Sequence, residues 1–342
     1  MASQVQDLQQ PGPPVAPAAR PLIEISGLVK RYNGTPALNG LDMRVEGGSI
    51  YGFVGPNGAG KTTTMRILAT LLEADEGSGL IAGEDVRAHP ARVRARIGFM
   101  PDFFGVYEDL TAAEYLDFYA ASCGVPAKRR RQVIEELLEL IDLSHKRDTY
   151  VEGLSRGMKQ RLGLARALVH DPAVLLLDEP ASGMDPRARY EMREIVKELQ
   201  RLGKTVLVSS HILLELSEMC THIGIIQSGR LVREGPVDQI LRGLDPGRAI
   251  EVRVLGSAMQ ARAAIAALPQ VTLVDPQAEG REAQGEGTPA TIVFRTFADD
   301  SGLQEVLRSL VSAGLPVVGF NVQRDNLEEV FMQITEQQDG QS

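Results

Sequence analysis

The chain has 342 residues, more than one hydrophobic core usually serves, so two domains are expected. Its 43% apolar content is that of a globular protein, and a formal net charge of -9 argues against a nucleic-acid-binding surface as its main business. Cys123 and Cys220 stand far apart without CxxC or Cys/His spacing, which speaks against a disulfide or metal cluster. No apolar run reaches the ~18 residues that span a bilayer, and the N-terminus lacks a signal-peptide apolar stretch.

In chain order, residues 1–20 are rich in Pro, Gln and Ala and poor in large apolar side chains. Such a segment buries too little surface to offset its ordering entropy and is read as a disordered tail. From Pro21, LIEISGLVKRY and the stretch through MRVEGGSIYGFVG read as short strands punctuated by glycine. GKTTTMRILATLL follows as a helix, and RARIGFMPD ends in a buried strand. TAAEYLDFYAASCG and KRRRQVIEELLELIDL carry apolar residues at three- and four-residue spacing and read as helices. AVLLLDEP and KTVLVSSH are near-continuous apolar runs, as parallel strands covered on both faces require. RARYEMREIVKELQRLG lies between them as the crossover helix, giving an α/β pattern.

Beyond about residue 245, AIEVRVL, QVTLVD, ATIVFRTF and PVVGFNVQ alternate as strands. SAMQARAAIAAL and SGLQEVLRSLVSAG fall between them as helices, and NLEEVFMQIT follows as a last helix. The order β-α-β-β-α-β matches a small ferredoxin-like α+β domain, with QAEGREAQGEGTP as its exposed loop.

Gly55, Pro56, Asn57, Gly58, Ala59, Gly60, Lys61 and Thr62 fit G-x-x-x-x-G-K-[ST] at every fixed position, between a predicted strand and a predicted helix. The glycines let backbone N–H groups turn inward around phosphate oxygens, and the helix N-terminus adds a positive dipole end. Lys61 suits the β/γ-phosphate charge and the Thr62 hydroxyl suits Mg²⁺; Thr63 continues the cradle. The stretch therefore predicts a nucleoside triphosphate site. Further on, a strand from Val174 ends in Asp178 and Glu179, placed respectively to hold Mg²⁺ through water and to polarise an attacking water.

Between these motifs stand Leu154, Ser155, Arg156, Gly157 and Met158, followed by Lys159, Gln160 and Arg161. This run resembles the signature of ABC transporter ATP-binding subunits, usually LSGGQ, with Arg156 and Met158 in place of a Gly and the Gln. Ser155 alone also suits a helix N-cap. The remaining residues fall in family order. Ser182, Gly183 and Asp185 resemble the D-loop, His211 the switch histidine at the γ-phosphate, and Tyr32 the aromatic that stacks on adenine. Asp102 stands where the family has the Q-loop glutamine. A charged oxygen ligates Mg²⁺ more strongly than an amide, so altered Mg²⁺ dependence is expected.

The resemblance covers about residues 22–240. It implies a P-loop ABC ATPase core over residues 21–240 with a helical subdomain at about 103–170, an accessory domain over residues 241–335 and a flexible tail at 336–342. The C-terminal unit resembles the accessory domain of ABC-2-type exporter ATPases. ATP and Mg²⁺ are the implied ligands. Two copies would meet head to tail with ATP between the P-loop of one and the signature of the other, a homodimer being simplest because both halves are intact. Separate integral membrane permease subunits would be the partners, on the cytoplasmic face of the inner membrane, with Phe103, Phe104 and Tyr107 forming the apolar part of their socket. No nucleic acid is expected. A non-transport ABC ATPase would carry tandem cassettes, zinc modules or long coiled coils, none of which is present in this sequence. A regulatory ATP binder would not need Glu179 and His211, and an unrelated P-loop kinase or GTPase would leave the signature unexplained.

Overall fold

The computed structural model describes residues 20–103, 105, 107, 109–244, 248–255, 258–268, 271–273 and 290–323. The expected N-terminal tail save Arg20, the loop at 277–289, the last helix and the C-terminal tail lie outside the described residues, as does Phe104. The chain divides into two compact units between Val237 and Asp238.

The first unit opens with β1 (Pro21–Tyr32) and β2 (Thr35–Glu46), an antiparallel pair joined by the two-residue turn Asn33-Gly34. Both turn residues have positive φ, 50° and 85°, which suits the twist of a tight hairpin. After β3 (Ile50–Val54) and α1 (Lys61–Leu68), β4 (Glu76–Ile81) and β5 (Glu84–Asp85) extend that hairpin into a four-stranded antiparallel sheet, ordered β2-β1-β4-β5. Then come α2 (Pro90–Arg94), β6 (Ile97–Met100), α3 (Ala112–Ser122), α4 (Ala127–Leu140) and α5 (Arg156–Leu168). Helix α3 starts in a capping box: the Thr111 hydroxyl accepts from the Glu114 amide, and the Glu114 carboxylate accepts from the Thr111 amide.

The remaining elements are β7 (Val174–Asp178), α6 (Pro186–Arg201), β8 (Thr205–Ser210), α7 (Leu213–Ser217), β9 (His222–Gln227) and β10 (Arg230–Pro236). They complete a six-stranded sheet ordered β10-β9-β3-β8-β7-β6, in which every pairing but β10 with β9 is parallel. Strands β3, β7 and β8 are buried along their whole length, the reason β7 and β8 read as near-continuous apolar runs. A core including Ile23, Leu41, Phe53, Met65, Leu176 and Leu207 links this sheet to the antiparallel one.

Helix α8 (Val237–Leu244) stands at the division of the chain. The second unit then runs β11 (Arg248–Val254), α9 (Ala258–Ala266), β12 (Val271–Leu273), β13 (Ala290–Thr296), α10 (Asp300–Ser312) and β14 (Val317–Gln323). Its strands form an antiparallel sheet ordered β12-β13-β11-β14. Ile250, Val252, Ile292 and Phe294 pack with Ile265, Val306 and Leu310 of the helices into a core of their own.

Candidate active site

Parallel pairing decides where the chemistry collects. In the register of the sheet Val54 lies opposite Ser210, Ser209 opposite Asp178, and Leu177 opposite Met100. The carboxyl ends of β3, β8, β7 and β6 therefore lie side by side, the position where open α/β sheets bind ligands. The residues that follow them, the P-loop, His211, Glu179 and Asp102, come to one edge although they are spread over more than a hundred positions. A cavity of about 300 Å³ there is lined by Asn57, Gly58, Gly60, Lys61, Thr62, Thr63, Asp102, Glu179, Ser182 and His211.

The P-loop turns into α1 at Gly60, whose φ of 112° belongs to glycine and whose missing Cβ would sit 2.7 Å from the Ala37 carbonyl. No side chain caps α1, so its first amides remain for an anion. Lys61 is 6% exposed; its Nζ donates to the carbonyls of Gly55 at 2.7 Å and Pro56 at 3.2 Å and stands 3.6 Å from Glu179 Oε1. Burial lowers the pKa of this ammonium, and the carboxylates of Glu179 and Asp178 oppose the shift.

Glu179 adopts a φ of 49°, a left-handed conformation that costs a non-glycine residue about 1–3 kcal/mol when strained. It carries the carboxylate into the cavity, where Oε2 meets His211 Nδ1 at 2.9 Å. Glu179 and His211 are thus in direct contact, an arrangement that suits a carboxylate oriented for general-base work. Asp178 is 1% exposed; Oδ1 accepts from the Ser209 hydroxyl at 2.6 Å, while Oδ2 is buried without a hydrogen-bond partner. An unpartnered buried carboxylate oxygen within electrostatic reach of the P-loop Lys61 fits Mg²⁺, held through water. Among the described residues no group of three acidic, His or Cys side chains could hold a metal alone.

The signature residues lie elsewhere. Leu154 is buried, whereas Ser155 and Arg156 are exposed at the start of α5. Ser155 caps this helix, its Oγ accepting from the Met158 amide at 3.3 Å. Gly157 has a packing reason as well: a Cβ there would come within 2.9 Å of the Ala188 Cβ on α6. Arg156 Nη2 donates to the Ser182 carbonyl at 3.1 Å, with its guanidinium against Gly183, and Asp185 caps α6 by accepting from the Ala188 amide at 3.0 Å. Neither the signature residues nor Tyr32, 45% exposed at the end of β1, line the cavity around Lys61. Cys123 and Cys220 are free thiols, and burial pushes the Cys220 pKa up. Ser209, at the centre of the acidic pair, was missed from sequence; it is one of three hydroxyl residues in β8, beside Thr205 and Ser210, and nothing in the sequence sets it apart.

Residues 38–182 match the family model for ABC transporters. Along nearly its whole length the chain is similar to the Nod factor export ATP-binding protein I of Ralstonia nicotianae, 35% identical over 96% of this chain and 97% of that protein. It belongs to the ABC transporter family. The daunorubicin/doxorubicin resistance ATP-binding protein of Streptomyces peucetius is 36% identical over 92% of each chain, so this ABC protein has exporter-type relatives of similar length. Among solved structures, an ATP-binding subunit of an ABC transporter aligns with 29% identity and a TM-score of 0.59, over 65% of this chain and 92% of the other. An ABC cassette in its ADP conformation shares the fold at 24% identity and a TM-score of 0.59, over 67% of this chain and 96% of its own. The chain is thus an ATP-binding, ATP-hydrolysing ABC subunit with an α/β cassette.

Proposed function

We propose that this ABC ATPase powers an ABC-2-type exporter: two copies close head to tail on ATP and drive separate membrane-spanning subunits. One observation carries the dimer. Ser155 and Gly157 stand at the start of α5 and do not line the cavity that holds Lys61 and Glu179, so any phosphate they bind belongs to a site completed by another copy. The export reading rests on the relatives named for Nod factor export and drug resistance, which match almost end to end. No helix among the described residues is long and apolar enough to cross a membrane, in keeping with a peripheral subunit at the cytoplasmic face.

Within each site, residues 55–63 cradle the phosphates, with Lys61 supplying charge and Tyr32 stacking on adenine. Thr62, Asp178 and Asp102 would hold Mg²⁺, which would supply positive charge against the phosphates. Glu179 accepts a proton from the attacking water, and His211 holds that carboxylate and senses the γ-phosphate. Ser155 and Gly157 of the second copy donate to the γ-phosphate, and Ser182, Gly183 and Asp185 form the D-loop between the two sites. ATP favours the closed pair and ADP the open one. The second unit is read as the ferredoxin-like accessory domain, on its β-α-β-β-α-β order. The exposed rings of Phe103 and Tyr107 are proposed to receive the membrane subunit.

The test is to purify tagged Glu179→Gln protein with ATP from detergent-solubilised native membranes. A stoichiometric multi-span membrane protein is the expected companion. Ribosomal or DNA-associated partners without one would overturn the transporter reading.

A further inference from the structure

The acidic pair at the end of β7 is held by a third side chain outside every motif described above. Ser209 lies on β8 with none of its surface exposed, in register with Asp178. Its hydroxyl donates its single proton to Asp178 Oδ1 at 2.6 Å and accepts from the Glu179 amide at 3.0 Å. Both capacities are spent on neighbouring residues with different tasks.

Each bond has a geometric consequence. Donation to Oδ1 fixes the rotation of the Asp178 carboxylate and leaves Oδ2 as the oxygen without a protein partner. Acceptance from the Glu179 amide pins the backbone where it turns into its left-handed conformation, from which the Glu179 side chain reaches His211 and Lys61. The Glu179 carbonyl in turn accepts from the Ser182 amide at 3.0 Å, closing the turn that leads to the D-loop. One hydroxyl thus aims two carboxylates.

We propose that Ser209 is a positioning residue for ATP hydrolysis, which presents Asp178 Oδ2 to the Mg²⁺ shell and sets Glu179 in line for water. This rests on the reading that Asp178 serves the metal and Glu179 the water. Alanine at this position leaves a buried carboxylate free to rotate and an amide without its acceptor, while removing one atom from the packing. Such outer groups around a metal typically contribute ~10–100-fold in metal affinity or activity.

The test compares full-length wild type with Ser209→Ala, Ser209→Thr and Ser210→Ala. Ser210 is a control on the same strand, its hydroxyl facing Glu215 and the Ile212 amide. Four quantities are read: kcat, the Mg²⁺ concentration for half-maximal activity, Mn²⁺ affinity of the ADP-loaded protein by electron paramagnetic resonance, and binding of a fluorescent nucleotide without metal. Ser209→Ala is expected to lower kcat and weaken Mn²⁺ binding by ~10-fold or more, with metal-free nucleotide binding unchanged. Ser209→Thr, which restores the hydroxyl, recovers most of both, and Ser210→Ala changes neither. The proposal is overturned if folded Ser209→Ala keeps kcat and Mn²⁺ affinity within about twofold of wild type, or loses metal-free nucleotide binding in the same proportion. Asp178→Asn and Glu179→Gln serve as references. If those variants also leave turnover and metal binding intact, the reading of the acidic pair itself fails; if they abolish them while Ser209→Ala does not, only the role of Ser209 falls.

Discussion

The cavity around Lys61 and the tip of α5 around Ser155, proposed as complementary halves of one phosphate site, are built differently. In the first, Lys61, Asp178 and Glu179 are 6%, 1% and 14% exposed and hydrogen-bond or ion-pair with one another, His211, Ser209 and backbone carbonyls. In the second, Ser155 and Arg156 are exposed, and Ser155 accepts one amide bond while its proton remains available. Charges in the buried half are held at fixed angles in a low-dielectric setting, where orientation is worth most. The exposed half offers donors outward, so its contribution arises on assembly. Under the proposed head-to-tail pairing, one chain holds an oriented hydrolytic half-site and an outward-facing lid for another.

The comparison breaks most severely at Glu179. Glu179→Gln keeps the shape of the buried half but removes its base, so steady-state turnover should fall by ~10²–10⁴-fold, with nucleotide binding by fluorescence retained. Turnover near the wild-type level would move the chemistry away from this carboxylate. Next is Ser155→Asp. Aspartate caps a helix as well as serine does, so the melting temperature should hold, whereas Ser155→Ala should cost about 1 kcal/mol. A carboxylate facing the γ-phosphate of another copy should nevertheless cut ATPase activity at least ~10-fold, about 1.4 kcal/mol in the barrier. Unchanged activity for this variant would show that Ser155 only caps α5. A smaller effect is expected at Asp102, which lines the cavity with Lys61 and Thr62. Replacing its charged oxygen by an amide in Asp102→Gln should raise the Mg²⁺ concentration for half-maximal activity several-fold. Coincident Mg²⁺ titrations for the two proteins would refute that idea.

Most of the buried half was legible in the sequence because its parts are local. The P-loop needs glycines and a lysine at fixed spacing beside a strand and a helix, and Asp178-Glu179 closes an apolar run. Their convergence on one edge follows from parallel pairing, which near-continuous apolar strands already imply. The contacts between them were not legible. Lys61 meets Glu179 and Ser209 meets Asp178 only through the register of the folded sheet, and no periodicity encodes a partner across so many residues. The strands β4, β5 and β10 also escaped, since Gly-rich turns and exposed edges blur their alternation, and so did the short buried strand β9. At the exposed tip the sequence suggested Ser155 and Gly157 for phosphate, yet each also has a structural task, as cap and as close-packing glycine against Ala188. Spacing alone does not separate two jobs held by one residue.

The smallest expected effect lies where the two halves touch. Arg156, which replaces a glycine of the usual signature, donates from Nη2 to the Ser182 carbonyl at 3.1 Å, and Ser182 lines the cavity with Glu179 and His211. This bond lies at the surface, where a charged donor to a carbonyl competes with water and contributes little net energy. Arg156→Gly should therefore leave turnover within about threefold of wild type, under ~1 kcal/mol in the barrier. What should change is how the halves report to each other: with the tip untied from the turn that follows Glu179, the ATP dependence of the rate should become less sigmoidal. A loss of turnover as deep as that of Glu179→Gln would place the Arg156 guanidinium on the γ-phosphate of the other copy. In that case the exposed half would carry charge of its own, and its difference from the buried half would be one of location rather than of chemistry.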